Sequence, residues 1–207
     1  MLFRSAPGFF DEVCYTGTGS SPLNISHNLT VVPEMMIIKN RSFAASWAVY
    51  VAPLGNTHSL LLDDIGGQLG SFWNNTSPTI SQFTVGTGTA VNGAYTFVAY
   101  LFATVAGISK VGSYTGNGSS QTINCGFAAG ARFILIKRTD STGDWYVWDS
   151  ARGIVSGDDP HLSLNTTAAE VTTDDSIDPD STGFIVNQLG ATNINVNTAT
   201  YIYLAIA

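Results

Sequence analysis

Charge is the scarcest property of this chain. Only 11% of its 207 residues are Asp, Glu, Lys or Arg, and the 8 basic residues face 15 acidic ones, for a net charge of −7. Proteins that bind polyanions neutralise phosphates with Lys and Arg, so nucleic acid and anionic membrane surfaces are poor partners. Histidine is almost as rare. His27, His58 and His161 are scattered, without an HExxH or His-x-His spacing to hold a metal, and read as turn and loop residues. Cys14 and Cys125 have no CxxC or Cys/His neighbours, so two free thiols are expected, and geometry decides the alternative of a Cys14–Cys125 bridge. The longest apolar run, 94–108, falls short of the ~20 residues a spanning helix needs, so no membrane insertion is expected. No basic segment followed by a small-residue cleavage site opens the sequence, which argues against a secretory signal. Also missing are a G-x-S-x-G elbow, a Walker loop and any sustained helical period.

What the chain has in quantity is Gly, Ser, Thr and Asn around short apolar runs, a mixture suited to strands and tight turns. It is also written twice. Tyr15-Thr16-Gly17-Thr18-Gly19-Ser20-Ser21 returns 99 positions later as Tyr114-Thr115-Gly116-Asn117-Gly118-Ser119-Ser120. At a spacing of 98, Met35-Met36-Ile37-Ile38-Lys39 lies over Phe133-Ile134-Leu135-Ile136-Lys137, and Trp47, Val49, Tyr50 and Gly55 fall on Trp145, Val147, Trp148 and Gly153. Pro78 and Phe83 meet Pro179 and Phe184 at 101, and Thr96-Phe97 meets Thr200-Tyr201 at 104. A repeat of this length means a duplicated domain, not a solenoid. All ten acidic residues of the second half lie between Asp140 and Asp180, so that half is the more negative.

Seven strands are predicted per repeat: 12–16, 23–26, 35–39, 47–51, 59–62, 82–85 and 96–102, then 110–115, 122–125, 132–137, 145–149, 162–164, 183–186 and 200–207. The fold expected is all-β, two tandem antiparallel β-sandwiches of jelly-roll-like character packed together. The domains are an N-terminal apolar arm at 1–10 without a counterpart between the repeats, a first sandwich at 11–107 and a second at 108–207. Alternate large residues in 47–51 and 145–148 should face the cores, with Trp47, Trp145 and Trp148 among the core residues. The two Gly-x-Gly pieces read as hairpin turns.

Candidate chemistry is sparse. Trp73 beside Asn74 and Asn75, and the Asp140–Asp144 turn before Trp145, suit sugar binding, in which an aromatic ring stacks on the apolar face while amides and carboxylates bond the hydroxyls. The alternative is that Trp73 closes the end of the first core. Asp174, Asp175, Asp178 and Asp180 place four carboxylates within seven residues and offer oxygen ligands to Ca²⁺, against the alternative of a solvated acidic turn. The equivalent stretch 72–79 has no carboxylate, so no cofactor is required. Asp158 or Asp159 with Asp175 is a candidate glycosidase pair, although no spacing selects it. Phe3, Phe9 and Phe10 make the arm a candidate anchor on a subunit or particle.

Several stretches resemble a known family: Arg4-Ser5-Ala6-Pro7-Gly8-Phe9-Phe10-Asp11-Glu12-Val13-Cys14-Tyr15-Thr16-Gly17, Ile25-Ser26-His27-Asn28-Leu29, Pro33-Glu34-Met35-Met36-Ile37-Ile38-Lys39, and Ile136-Lys137-Arg138-Thr139-Asp140-Ser141-Thr142-Gly143-Asp144-Trp145. They are similar to the tandem domain near the C-terminus of tail-fibre-like virion proteins of bacteriophages, particularly marine ones. The resemblance covers nearly the whole chain and carries no catalytic or binding residues with it. It implies a non-enzymatic virion protein in a tail fibre or spike, with other virion proteins as partners, trimeric assembly and contact with the host surface, where an acidic chain rich in uncharged polar residues suits hydrogen bonding to neutral glycans. A capsid decoration or head-fibre protein is the first alternative, and a polysaccharide-degrading enzyme the second.

Overall fold

β-Branched and aromatic residues fill the runs between Gly, Asn and Ser turns, and in the computed structural model, which describes residues 5–70 and 72–207, those runs are strands. The chain divides into two units, Met1–Asp63 with Gln68–Thr104, and Asp64–Gly67 with Val105–Ala207.

The first unit holds β1 (Phe10–Thr16), β2 (Leu23–Ser26), β3 (Met35–Asn40), β4 (Ala48–Val51), β5 (His58–Leu61), β6 (Leu69–Gly70), β7 (Gln82–Val85) and β8 (Thr96–Phe102), with a four-residue helix α1 (Thr89–Asn92). Its sheets run β1-β8-β3-β4-β5-β6 and β2-β7, with every pairing antiparallel. The second unit holds β9 (Ser109–Thr115), β10 (Gln121–Asn124), β11 (Phe133–Arg138), β12 (Trp145–Asp149), β13 (His161–Ser163), β14 (Ile177–Asp180), β15 (Gly183–Val186) and β16 (Thr200–Ile206). Its sheets run β13-β12-β11-β16-β9 and β10-β15-β14. Read from the other edge, β9-β16-β11-β12-β13 repeats the order β1-β8-β3-β4-β5, so the duplication extends to topology.

Each unit is a β-sandwich. In the first, Met36, Ile38, Tyr50, Phe97 and Leu101 of the large sheet meet Ile25, Phe83 and Val85 of the small one. In the second, Ile134, Ile136, Trp148, Tyr201 and Tyr203 meet Ile123, Phe184, Val186 and Ile177. The faces that form these cores carry Ala48 and Tyr50, and Tyr146 and Trp148. Trp145 is fully buried on the opposite face of β12. Trp47 is not a core residue. It is half-buried just before β4, with the Lys39 ammonium 5.1 Å from its ring centre.

The repeated Tyr-Thr-Gly segment is not a hairpin. Strand β1 pairs with β8 and not with β2, which lies in the other sheet, so the segment carries the chain from one sheet to the other. A fully buried asparagine holds this crossover in each unit. Asn92 Oδ1 accepts from Thr18 N at 2.9 Å, and its Nδ2 donates to the carbonyls of Ser20 and Gly86, both at 2.7 Å. Asn195 Oδ1 accepts from Asn117 N at 3.0 Å, and its Nδ2 donates to Val186 O at 3.2 Å and to Ser119 O. The hydroxyls of Tyr15 and Tyr114 donate to Val91 O and Ile194 O, each at 2.6 Å, while their rings stack on Phe97 and Tyr201. Glycine is required at the crossover by proximity. A Cβ on Gly17 would lie 2.1 Å from Gly93 O, and one on Gly116 2.1 Å from Val196 O.

The apolar arm has a counterpart after all. Ala6 bridges Phe10 as Val105 bridges Ser109, with Gly8 and Gly107 at φ of 82° and 74°. Phe9 N and Phe10 N both donate to Ala6 O, as Ile108 N and Ser109 N donate to Val105 O. The signal was faint because these two turns share only the glycine. Phe9 and Phe10 therefore belong to the first unit: Phe9 O accepts from Ala103 N, and the Phe10 ring lies 5.1 Å from Phe102. Both remain half-buried, and Phe3 lies outside the described residues. The boundary between units falls at Thr104/Val105, three residues before the expected one, and the second unit also takes in Asp64–Gly67. Strands β6 and β14 add an eighth strand to each unit. β14 occupies the segment read as an acidic loop, because Ile177 is buried there against the core.

Replacing Asn92 or Asn195 by alanine strips partners from several backbone groups at the crossover, at about 1–3 kcal/mol per buried group. We expect each substitution to lower unfolding free energy in urea by roughly 3–5 kcal/mol. A loss below ~1 kcal/mol would show that the crossover is held by something else.

Candidate functional site

In the second unit the chain turns from β11 to β12 through residues 139–144, and a buried lysine shapes that turn. Lys137 is fully buried, and its Nζ donates to Gly143 O at 2.6 Å and to Ile65 O at 2.9 Å. Lys39 makes the equivalent closure in the first unit, donating to Ala45 O at 2.6 Å. Burial lowers the Lys137 pKa to about 8, against the opposing pull of the Asp144 and Asp64 carboxylates. Gly143 N also donates to Ile65 O at 2.9 Å, so segment 64–67 and the turn are fixed together.

Around this turn opens a cleft of about 310 Å³. Arg138, Asp144, Tyr146, Thr192, Asn193 and Ile65 are among the residues that line it. Arg138 is forked by Asp140, Nε to Oδ1 at 3.0 Å and Nη2 to Oδ2 at 3.1 Å, and Asp140 also accepts from Thr200 N at 3.1 Å. These hydrogen bonds hold the Asp140 carboxyl below its ordinary range. Asp144 Oδ1 accepts from Asn165 Nδ2 at 2.8 Å, with Ser163 Oγ 3.4 Å from Oδ2. Burial, aided by the charges of Asp144 and Asp174, raises the Tyr146 phenol to about 12, so it stays protonated. Asn193 sits at a φ of 51°, with its side chain bonded to Gly190 O at 2.8 Å and to Gln188 Nε2 at 3.1 Å. The arrangement is a pre-formed polar recess of the kind that receives hydroxylated small molecules.

Of the sequence candidates, Asp144 lines this cleft, and Asp140 is connected to it only through its fork on Arg138. Trp73 does not line it and is fully buried, edge-on to Tyr50 at 5.6 Å, with Nε1 donating to His58 O at 2.9 Å. A ring in the core offers no stacking surface, and the alternative of a core-closing tryptophan is the correct one. Asn74 and Asn75 are exposed turn residues, both at a φ of 50°, and Asn74 Oδ1 accepts from Ser21 Oγ at 3.0 Å. Asp174, Asp175, Asp178 and Asp180 do not converge on an ion. Asp175 and Asp178 share the Asn187 amide, at 3.0 and 2.8 Å, and Asp180 accepts from Thr182 N and Oγ1. Among the described residues no group of three or more His, Cys, Asp or Glu is placed to hold a metal.

The remaining candidates are also placed. Both cysteines are free. His58 and His161 begin strands and are not loop residues, while His27 is buried with Nε2 3.1 Å from Thr79 O. Of the glycosidase candidates, Asp158 is exposed, Asp175 is exposed and accepts from Asn187 Nδ2 at 3.0 Å, and Asp159 is fully buried. Sequence reasoning missed Arg138, Tyr146, Asn193 and Ile65. The first two were detectable as departures between the repeats, where Asn40 and Ala48 stand opposite them, whereas Asn193 and Ile65 reach the cleft only through the fold.

Asp159 gives a pH signature. Burial, with a smaller push from Asp178 and Asp175, raises its pKa to about 7, while the N–H groups of Val155 and Ile177 oppose the shift. An acid whose folded pKa exceeds its unfolded one binds more protons when folded. Its contribution is complete below the unfolded value of ~3.9 and is lost as pH rises through the folded one. Asp159→Asn imitates the protonated acid, so its stability relative to the unaltered chain should rise between about pH 4 and about pH 7 in urea unfolding. A difference that stays constant over that range would contradict the assignment.

No curated protein and no solved structure matches the chain. A duplicated β-sandwich spanning the whole described sequence agrees in extent with a single family model that covers residues 5–207, and the chain belongs to that family, a domain of unknown function designated DUF7483.

Proposed function

We propose that this protein is a non-enzymatic component of a bacteriophage virion, in a tail fibre or spike, and that its second unit contacts host-surface glycan through the cleft beside the 139–144 turn. The observation that carries the contact is the cleft itself. At about 310 Å³ it has the size of a small-molecule site, and its walls are braced by the Lys137 closure and the Arg138–Asp140 fork. Walls fixed in advance bind with less loss of conformational freedom. The virion assignment, with other virion proteins as partners and a trimer as the assembly, rests on the resemblance of the repeat motifs to tail-fibre-like proteins.

Of the alternatives, a capsid decoration protein held by Phe9 and Phe10 has less support, because both are half-buried and tied to the first unit. A degrading enzyme using Asp159 has an acid of raised pKa without access to substrate.

Immunogold electron microscopy of the source particles should place label on the tail or its fibres, and label over the head would overturn the fibre reading. Thr142 is exposed at the cleft, so Thr142→Trp should leave the melting temperature unchanged and reduce glycan binding at least about tenfold. Unchanged binding would remove the cleft from the contact.

A further inference from the structure

We infer that the cleft of the second unit selects neutral sugars and rejects acidic ones, with Asp144 as the group that makes the distinction. This rests on the reading of the cleft as a glycan site and adds the class of glycan.

The argument is an inventory of charge. Two cations stand near the cleft, and both are already committed. Arg138 presents its guanidinium to Asp140 through two parallel hydrogen bonds of 3.0 and 3.1 Å, which is the geometry a ligand carboxylate would itself need. Lys137 is fully buried and turned to two backbone carbonyls. Asp144, by contrast, is half-buried and bonded by neutral donors, the Asn165 amide at 2.8 Å, the Tyr146 phenol and the more distant Ser163 hydroxyl. An ionised carboxylate has about four acceptor positions, so Asp144 keeps capacity for ligand hydroxyls. The net result is a site with a spare anionic acceptor and, among the described residues, no spare cation. A pyranose hydroxyl donates to such a carboxylate, whereas a uronate, sialate or sulfate meets like charge that the buried Lys137 offsets only in part. Ile65, 48% exposed at the edge of the cleft, supplies an aliphatic surface for the C–H face of the ring.

The first unit is different at the same positions. Asn40, Ser46 and Ala48 stand where the second unit has Arg138, Asp144 and Tyr146, and Asn40 Oδ1 is taken up by the backbone N–H groups of Ser42 and Phe43. The acceptor carboxylate belongs to one copy of the duplicated scaffold.

The test is calorimetric titration of the full chain with cellobiose, maltose and lactose, and with the same disaccharides oxidised to uronates at C6. At least one neutral sugar should bind about tenfold more tightly than its uronate, the scale expected for one unscreened charge at this depth. Asp144→Asn keeps the shape and removes the charge. It should weaken the neutral sugar and narrow the neutral-to-acidic ratio toward one. Arg138→Gln releases the Asp140 charge and should widen the ratio, an arm that still decides the question if the Asp144 variant folds poorly. Equal or tighter uronate binding would overturn the selectivity while leaving the glycan reading intact. Absence of binding by every sugar, neutral and acidic, would overturn the glycan reading and the selectivity with it.

Discussion

One buried amide in each unit sets the condition under which the rest of the fold is possible. A β-sandwich must carry its chain from one sheet to the other, and the crossing exposes backbone groups that neither sheet can pair. Asn92 and Asn195 answer this from inside the protein, each offering an acceptor and two donors to a segment that no strand partners. The tyrosine before each crossover adds a hydroxyl bond to the same segment and a stacked ring that seals it. The glycine is there because a carbonyl lies where its side chain would be. Four hydrogen bonds in each unit and one steric exclusion thus explain a seven-residue motif that has no chemistry of its own.

Duplication supplied two copies of this frame, and the copies have diverged at the end of the third strand. In both units a lysine from that strand closes the following turn by donating to a carbonyl six residues on. In the first unit the adjacent position is Asn40, which folds back on the turn. In the second it is Arg138, held out by Asp140. With Tyr146 in place of a small residue on the next strand, the second unit gains a recess with polar walls on a scaffold that keeps the strand order and the crossover hydrogen bonds of the first.

Strands were legible in the sequence wherever β-branched and aromatic residues ran between turn residues, and the repeat spacing correctly paired the two halves. Three kinds of feature were not. Side-chain partners far apart in sequence, such as Lys137 with Ile65, depend on how the loops are brought together, and no local pattern encodes that. Burial of Trp73 depends on a core the other strands create, and its amide neighbours suggested an exposed role that its own indole N–H, bonded to His58, contradicts. Strand β14 was hidden because Asp178, Pro179 and Asp180 mask a single inward Ile177. The cleft was half legible: Asp140 and Asp144 stood out by composition, whereas their partners emerge only in three dimensions.

The crossover glycines have a consequence for how such chains come to vary. A position where an added methyl group would strike a carbonyl at 2.1 Å tolerates almost no exchange, so the most recognisable letters of this sequence are those with the least freedom to acquire a new role. The turn from β11 to β12 is under the opposite regime. Its backbone is fixed by a lysine that reaches it from behind, which leaves the outward side chains of Ser141 and Thr142 unconstrained. Innovation in this architecture is thereby confined to a few exposed positions, and relatives alike in their Tyr-Thr-Gly segments are free to differ in what they hold.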